Sequence, residues 1–217
     1  MLQVAPSILA CDFARLADEC RRAEDAGADS LHVDVMDGHY VRNITIGPLI
    51  VEAIRRSTKL PLNVHLMIDR PEVFAADFCE AGADWVVVHP EAKGDPAGAL
   101  DIVRAKGVRT GVSLNPETPV AAAKEFLGNI DFVIIMSVNP GWGGQAFMSE
   151  VLPKFAEAKA LAPEGTPLGI DGGVNLETGR EAVRAGADYL VAGTFLFRSD
   201  DMPGRVAALR ALEGEEH

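Results

Sequence analysis

Acidic and imidazole side chains interrupt an otherwise apolar segment, SLHVDVMDGHYVRN, which spans residues 30–43. His32 and Asp34 alternate with aliphatic residues as in a β-strand, and Asp37 and His39 follow. Burying an unpaired charge costs several kcal/mol. A strand that carries these groups into the interior therefore needs partners for them, either a metal ion or a network of hydrogen bonds.

The alternation of side chains along a strand predicts which of these groups point inward. Leucine and valine occupy the odd-numbered positions of the first segment, so His32, Asp34 and Met36 share the opposite face. A second segment, LNVHLMI, turns His65 and Met67 to one face in the same way. The aliphatic faces must pack against helices, which directs the polar faces toward the inside of a sheet.

Two other strands contribute inward polar groups. The alternation puts Ser7 inside the first strand, and Asp171 ends the seventh strand just before Gly172 and Gly173. Two imidazoles and two carboxylates at neighbouring strand ends can bind one divalent metal ion, and the two carboxylates nearly balance its charge. The candidate ligands are His32, Asp34, His65 and Asp171. The alternative is a buried, hydrogen-bonded polar network with a structural role.

The remaining candidate residues near these strands allow more than one role. Asp37 has the opposite parity and begins a turn, where a carboxylate usually caps its own backbone. His39 either faces the site or lies in solvent, and His89 in the segment VHPEA either lines the site or is a core histidine. His217 is terminal and indicates nothing.

Strand and helix patterns alternate along the whole chain, which predicts repeated βα units. The predicted strands cover residues 3–9, 30–37, 62–68, 85–89, 109–114, 132–138, 168–171 and 189–192. The predicted helices cover residues 12–26, 48–57, 71–81, 97–106, 120–127, 150–161, 176–185 and 202–212. Ala-Gly-Ala-Asp follows three helices, and its glycines Gly27, Gly82 and Gly186 suit the left-handed position after a helix.

Eight strands, each followed by a helix, predict an α/β fold of the (β/α)8 TIM-barrel type, with a closed sheet of eight parallel strands. A single domain over residues 1–217 agrees with the usual size of such barrels. A doubly wound open sheet is the structural alternative. In a barrel the active site lies at the C-terminal ends of the strands, where Asp34, His65 and Asp171 are placed.

Three glycine-containing segments follow late strands and suggest a phosphate site. They are NPGWGGQ at 139–145, DGGVN at 171–175 and AGT at 192–194. Glycine lets backbone N–H groups approach a ligand closely. None of the three contains lysine or arginine, so backbone N–H groups and helix dipoles would have to hold a phosphate.

Composition excludes several classes of protein. A net charge of -12 argues against a nucleic-acid partner. The sequence has neither an apolar run long enough to span a membrane nor a basic, signal-like start, so we expect no membrane partner. The odd number of cysteines, with no metal-type spacing, favours reduced thiols and a cytoplasmic location.

The motifs resemble those of the ribulose-phosphate 3-epimerase family across nearly the whole chain. The matching segments are APSIL (5–9), HVDVMDGH (32–39), HLMI (65–68), VHPEA (88–92), IMSVNPGWGGQ (135–145), DGGVN (171–175) and AGT (192–194). The resemblance implies reversible epimerisation at C3 between D-ribulose 5-phosphate and D-xylulose 5-phosphate, in the pentose phosphate pathway, by a barrel enzyme. It also implies one divalent ion per subunit (Zn2+, Fe2+, Mn2+ or Co2+) and a homo-oligomer, either a dimer or a hexamer.

The resemblance assigns roles to individual residues. Asp34 and Asp171 match the acid/base pair, and with His32 and His65 they match the metal ligands. The implied substrate-binding residues are Ser7, His65, Gly141, Trp142, Gly143, Gly144, Gly172, Gly173, Gly193 and Thr194. The implied lining of the active site is Met36, Met67 and Met136, which periodicity alone would place in the core.

Some features depart from the family pattern or leave other functions open. Arg42, Trp142 and Thr194 replace residues more common in the family, and they could alter loop closure or phosphate contacts. An epimerase acting on D-allulose 6-phosphate is the nearest alternative function. A Schiff-base aldolase needs an inward strand lysine, which the pattern does not offer, and a non-catalytic sugar-phosphate-binding barrel should have lost one of the two aspartates.

Overall fold

A computed structural model describes residues 1–215, in which eight strands alternate with helices. His217 lies outside the described residues. The strands are β1 (Gln3–Pro6), β2 (Leu31–Met36), β3 (Leu62–Met67), β4 (Trp85–Val88), β5 (Arg109–Leu114), β6 (Phe132–Met136), β7 (Leu168–Asp171) and β8 (Tyr189–Ala192). The helices are α1 (Leu16–Asp25), α2 (Pro48–Ser57), α3 (Pro71–Glu80), α4 (Pro96–Ala105), α5 (Lys124–Leu127), α6 (Lys154–Leu161), α7 (Leu176–Ala185), α8 (Thr194–Phe197) and α9 (Met202–Ala211).

The eight strands form one parallel sheet with the order β1-β8-β7-β6-β5-β4-β3-β2. The two end strands meet through a parallel bridge between Ser7 and His32. The Asp29 N–H also donates to the Val4 carbonyl at 3.0 Å. The predicted (β/α)8 barrel is thus confirmed, and its closing contact lies beside the candidate site.

Each strand divides its side chains between two environments, as its alternating sequence predicts. The outward aliphatic residues of β2 and β3, such as Val33 and Val64, pack into one large core with the helices. Inward residues form separate clusters, one of which contains Met36 and Met67. The polar residues His32, Asp34 and His65 are therefore inside the barrel and almost fully buried.

Aromatic residues fill the N-terminal end of the barrel. Trp85, Phe132 and Tyr189 each begin a strand, and their rings meet with centroids 4.9–6.1 Å apart. The Tyr189 hydroxyl shares a 2.6 Å hydrogen bond with Ser30 Oγ. Because this end is filled, the open end of the barrel is the C-terminal one, where the candidate residues lie.

Helix and strand ends differ from the predicted ones where the chain turns over the barrel mouth. The strand predicted over 3–9 ends at Pro6, because Ile8–Ala10 forms a 3₁₀ turn. The short helix α8 was not predicted. Gly27, Gly82 and Gly186 have φ of 79°, 105° and 113°, so all three adopt the predicted left-handed conformation. Within residues 1–215, every helix is too short or too polar to cross a bilayer.

Candidate active site

Strands β2, β3 and β7 bring four side chains to one point at the C-terminal end of the barrel. One ligand-type atom from each of His32, Asp34, His65 and Asp171 lies within 4.8 Å of the others. The register pairs Asp34 directly with His65, while Asp171 ends β7 across the closing strands β8 and β1. The structure therefore assembles the four residues that the sequence predicted as metal ligands.

Distances within this cluster fit a small divalent ion. His32 Nε2 lies 3.3 Å from Asp34 Oδ1 and 3.5 Å from Asp171 Oδ2. His65 Nδ1 lies 3.5 and 3.7 Å from the same two oxygens and 3.3 Å from His32 Nε2. Tetrahedral coordination with bonds of about 2.0–2.2 Å places neighbouring ligand atoms roughly 3.3–3.6 Å apart. The donor set of two nitrogens and two oxygens suits zinc, iron, manganese or cobalt.

The charges of the cluster favour a cation at its centre. Burial alone would lower the pKa of His32, but Asp34 and Asp171 outweigh it and raise that pKa to about 10. Burial would raise the pKa of Asp34, yet His32 and His65 hold it far below its usual range. The pKa of Asp171 is lowered as well, because the two imidazoles outweigh burial and the charge of Asp34. The two imidazoles therefore favour the ionised form of each carboxylate.

Two hydroxyl groups position Asp34. Ser7 Oγ donates a 2.6 Å hydrogen bond to Asp34 Oδ2, the oxygen opposite the one that faces the imidazoles. Thr45 Oγ1 donates to the backbone carbonyl of Asp34 at 2.6 Å and accepts from the N–H of Met36 at 2.9 Å. The side chain and the backbone of Asp34 are thus both fixed. Thr45 comes from the loop after β2, and nothing in its sequence pattern indicated this contact.

His89 lies behind His65, away from the ligand atoms. Its Nε2 is 2.9 Å from His65 Nε2, and both rings are fully buried. His89 Nδ1 faces Glu91 Oε2 at 3.4 Å. Burial is the largest effect on the pKa of His89 and lowers it to about 4. The contact with His89 outweighs the burial of Glu91 and lowers the pKa of Glu91 to about 2. Sequence alternation placed His89 inward but did not identify its partner Glu91.

Asp37 organises the turn after β2 and takes no part in the ligand cluster. Its Oδ1 accepts from the N–H groups of His39 and Tyr40, both at 2.8 Å. Its Oδ2 accepts from the N–H of Asp69 at 2.8 Å, which ties the turn to the end of β3. Hydrogen bonds from these three N–H groups outweigh burial and lower the pKa of Asp37. His39 is exposed, which decides between its two sequence alternatives.

A cleft opens above the cluster. Asp34, Asp171 and the three predicted methionines line it. It is also lined by the remaining predicted substrate-binding residues apart from His65, namely Ser7, Gly141, Trp142, Gly143, Gly144, Gly172, Gly173, Gly193 and Thr194. The sequence prediction did not single out other lining residues, such as Leu9, Val138 and Val174, because apolar residues at strand ends resemble core residues.

Glycine is required at one side of this cleft. Gly173 has a φ of 62°, and a Cβ there would approach the Phe147 nitrogen to 2.9 Å and the Gln145 carbonyl oxygen to 3.0 Å. The side chain of Gln145 donates to the carbonyls of Asn139 and Trp142 at 2.7 and 2.9 Å. The loop after β6 therefore packs directly on the turn after β7. Among the described residues, no lysine or arginine lines the cleft.

The loops after β2 and β6 also meet above the cleft. Asn43 Nδ2 donates to the Gly141 carbonyl at 2.7 Å. Trp142, which follows Gly141, is 57% exposed and forms part of the rim. A wide rim side chain held on a hydrogen-bonded loop can cover a molecule bound in the cleft without approaching the cluster of His32, Asp34, His65 and Asp171.

Solved structures with the same fold cover nearly the whole chain. KGPDC from Streptococcus mutans aligns with a TM-score of 0.75 at 14% identity, covering 99% of this chain and 98% of that one. At this low identity the likeness supports the barrel fold alone.

Curated relatives are much more similar in sequence. The ribulose-phosphate 3-epimerase of Bacillus subtilis (strain 168) is 47% identical over 214 residues, 97% of this chain and 99% of that protein. The ribulose-phosphate 3-epimerase of Synechocystis sp. (strain ATCC 27184 / PCC 6803 / Kazusa) is 45% identical over 212 residues, 95% of this chain and 92% of that protein. The model of the Ribulose-phosphate 3 epimerase family matches residues 3–197. The chain therefore belongs to the ribulose-phosphate 3-epimerase family.

Proposed function

We propose that the protein is a ribulose-phosphate 3-epimerase that interconverts D-ribulose 5-phosphate and D-xylulose 5-phosphate. The observation that carries this proposal is the meeting of Asp34 and Asp171 at the base of one cleft in a member of this family. Epimerisation beside a ketone requires removal of a proton from one face of C3 and delivery of a proton to the other face. Two carboxylates from separate strands can serve the two faces.

In the direction from ribulose to xylulose, Asp34 takes the C3 proton and Asp171 supplies the new one; the reverse reaction exchanges the roles. Asp34 Oδ2 faces away from the two imidazoles and is held by Ser7 Oγ. Its remaining lone pair is the acceptor for the C3 proton. Asp171 directs Oδ2 toward the imidazoles, which leaves Oδ1 to carry its proton. The intermediate between the two proton transfers is an enediolate.

His32, Asp34, His65 and Asp171 would hold one divalent ion per subunit, Zn2+, Fe2+, Mn2+ or Co2+. When bound, such an ion supplies positive charge that stabilises the developing negative charge on the substrate oxygens. The separations of the ligand atoms support this assignment. Both imidazoles are completely buried, so the cluster is closed to water from below.

The rest of the cleft is suited to a sugar phosphate. Met36, Met67 and Met136 provide a polarisable lining that offers no competing proton. The glycine-rich side of the cleft, including Gly144, Gly173 and Gly193, leaves room for a phosphate to approach backbone N–H groups. An acidic protein can bind an anion in this way without a basic side chain.

The proposed activity also implies a pathway, a location, an assembly and a partner for the enzyme. The enzyme works in the pentose phosphate pathway, in the cytoplasm, as a homo-oligomer, either a dimer or a hexamer. Its partner is a small sugar phosphate, with no nucleic acid and no membrane. The net charge of -12 supports the absence of a nucleic-acid partner.

A coupled assay with purified protein tests the function. We expect turnover of D-ribulose 5-phosphate, its loss after treatment with a chelator, and its recovery on addition of Co2+ or Zn2+. D-Allulose 6-phosphate serves as the second substrate, because cleft size alone does not exclude a six-carbon sugar. Faster turnover of D-allulose 6-phosphate than of D-ribulose 5-phosphate would replace the proposed substrate, and turnover of neither would overturn the proposal.

A further inference from the structure

Two buried imidazoles meet directly behind the ligand cluster. His65 Nε2 and His89 Nε2 are 2.9 Å apart, and the ring planes are inclined by only 25°. This distance is too short for stacked rings and fits a hydrogen bond between ring edges. One proton must lie between the two nitrogens, because two lone pairs or two N–H groups would repel each other.

The ligand role of His65 decides which nitrogen carries that proton. His65 Nδ1 is the atom that faces Asp34 and Asp171, so its lone pair must remain free for a cation. A neutral His65 ring then carries its proton on Nε2 and donates to His89 Nε2. His89 in turn must be protonated on Nδ1.

Glu91 is placed to fix that second tautomer. Its Oε2 lies 3.4 Å from His89 Nδ1, and within residues 1–215 neither buried atom has a hydrogen-bond partner. The other oxygen of Glu91, Oε1, accepts from the N–H of Asn115 at 3.0 Å. A carboxylate beside Nδ1 stabilises a proton there and leaves His89 Nε2 as an acceptor.

Residues around this pair hold it in place. The Tyr40 ring lies 4.9 Å from the His89 ring, and its hydroxyl accepts from Asn115 Nδ2 at 2.7 Å. Lys154 Nζ donates to the Asn115 carbonyl at 2.8 Å and also to two neighbouring carbonyls of the same loop. The loop that positions Glu91 is therefore itself anchored to helix α6.

We propose that Glu91 and His89 are positioning residues that set the tautomer of His65 and aim its Nδ1 lone pair into the ligand cluster. The chain of contacts runs from the Glu91 carboxylate to His89 Nδ1–H, and from His89 Nε2 to His65 Nε2–H. Neither Glu91 nor His89 lines the cleft, so they act on the reaction only through His65. The inference rests on the metal site of the proposed function.

Binding of Co2+ provides the test, because its affinity and visible absorption spectrum report on the ligands independently of turnover. His89→Phe keeps an aromatic ring but removes the acceptor, whereas His89→Gln retains an oxygen acceptor. We expect His89→Phe to weaken Co2+ binding about 10- to 100-fold and to change the spectrum, since loss of such supporting contacts typically has this effect. His89→Gln should restore much of the affinity, and saturating Co2+ should recover most of the activity of His89→Phe.

His39→Phe is the matched control, because it makes the same exchange at an exposed histidine outside the ligand cluster; we expect nearly unchanged Co2+ affinity. Equal Co2+ affinity and spectra for wild type and a folded His89→Phe overturn the inference while the metal site stands. If His89→Phe does not fold, Glu91→Gln decides: weakened affinity supports the inference and unchanged affinity overturns it. A wild-type protein that binds no Co2+, or binds it unchanged after His32→Asn, overturns the metal site and the inference together.

Discussion

Asp34 and Asp37 are only three residues apart, yet they lie in different surroundings. Asp34 is buried at 4% exposure in the ligand cluster, whereas Asp37 accepts three backbone N–H groups in a turn. Strand alternation separates the two from the sequence alone, because the parity of a residue determines its face. The same reasoning missed Thr45 and Glu91, since loop residues follow no periodic pattern.

Exchange of the C3 proton with D2O tests the role of Asp34 in the proposed reaction. With D-ribulose 5-phosphate, Asp34→Asn should lose exchange by roughly 10²- to 10⁴-fold, the usual contribution of a general base. The amide cannot take the proton, although its oxygen can still face the two histidines. Nuclear magnetic resonance of the substrate measures exchange separately from epimerisation.

Asp171→Asn is the matched comparison. Because Asp171 is proposed to act after C3–H cleavage in this direction, the variant should retain exchange from D-ribulose 5-phosphate while forming almost no xylulose product. With D-xylulose 5-phosphate the pattern should be reversed: Asp34→Asn should retain exchange of the C3 proton, and Asp171→Asn should lose it. A folded Asp34→Asn protein that exchanges the C3 proton at the wild-type rate would refute the assignment of Asp34 as the base.

At the scale of elements, the regular strands were easier to predict than their ends. β5, β7 and β8 have the predicted bounds, because runs of aliphatic residues end sharply at turn residues there. The segment predicted as a strand over 132–138 ends at Met136, although buried Val138 continues the apolar pattern. Hydrophobicity predicts burial but not where backbone pairing stops, so strand ends over the cleft were predicted too long.

The turn after β2 offers a test with a defined pH dependence. Asp37→Asn keeps one acceptor for His39 and Tyr40 but replaces the oxygen that receives the Asp69 N–H. We expect the free energy of unfolding to fall by about 1–3 kcal/mol, the cost of losing a hydrogen bond to a charged group. Denaturant titration of metal-free protein measures it.

The sign of the pH effect follows from the lowered pKa of Asp37. The ionised carboxylate stabilises the fold fully above the ordinary aspartate pKa of about 3.9, and this contribution is lost as pH falls through the lower folded-state pKa. The difference between wild type and Asp37→Asn should therefore shrink below about pH 4. Asp12→Asn removes a carboxylate that also accepts a local backbone N–H, from Ala14, and should change stability little. If the difference in free energy of unfolding between wild type and Asp37→Asn stayed constant down to pH 2, it would contradict stabilisation by the ionised Asp37 carboxylate.

At the scale of the whole molecule, barrel closure and site assembly depend on the same residues. The bridge between Ser7 and His32 joins the first and last strands of the sheet order, and Ser7 Oγ reaches Asp34. Asp171 comes from the other side of that junction. The repeated βα pattern predicted the barrel, but it could not predict which inward groups would make contact across the closure, because this depends on strand register.

Since the proposed metal ligands come from both sides of the closing junction, an ion that binds them should stabilise the whole barrel. Binding to the folded state alone, at about 100 times the dissociation constant, adds roughly 2.7 kcal/mol, which corresponds to about 5–10 °C in Tm for a chain of this size. Chelation should lower the Tm by this amount, and added Zn2+ or Co2+ should restore it. Calorimetry of His32→Asn provides the control, because removing one ligand should nearly abolish the shift. An equal shift in that variant would place the stabilising ion elsewhere in the protein.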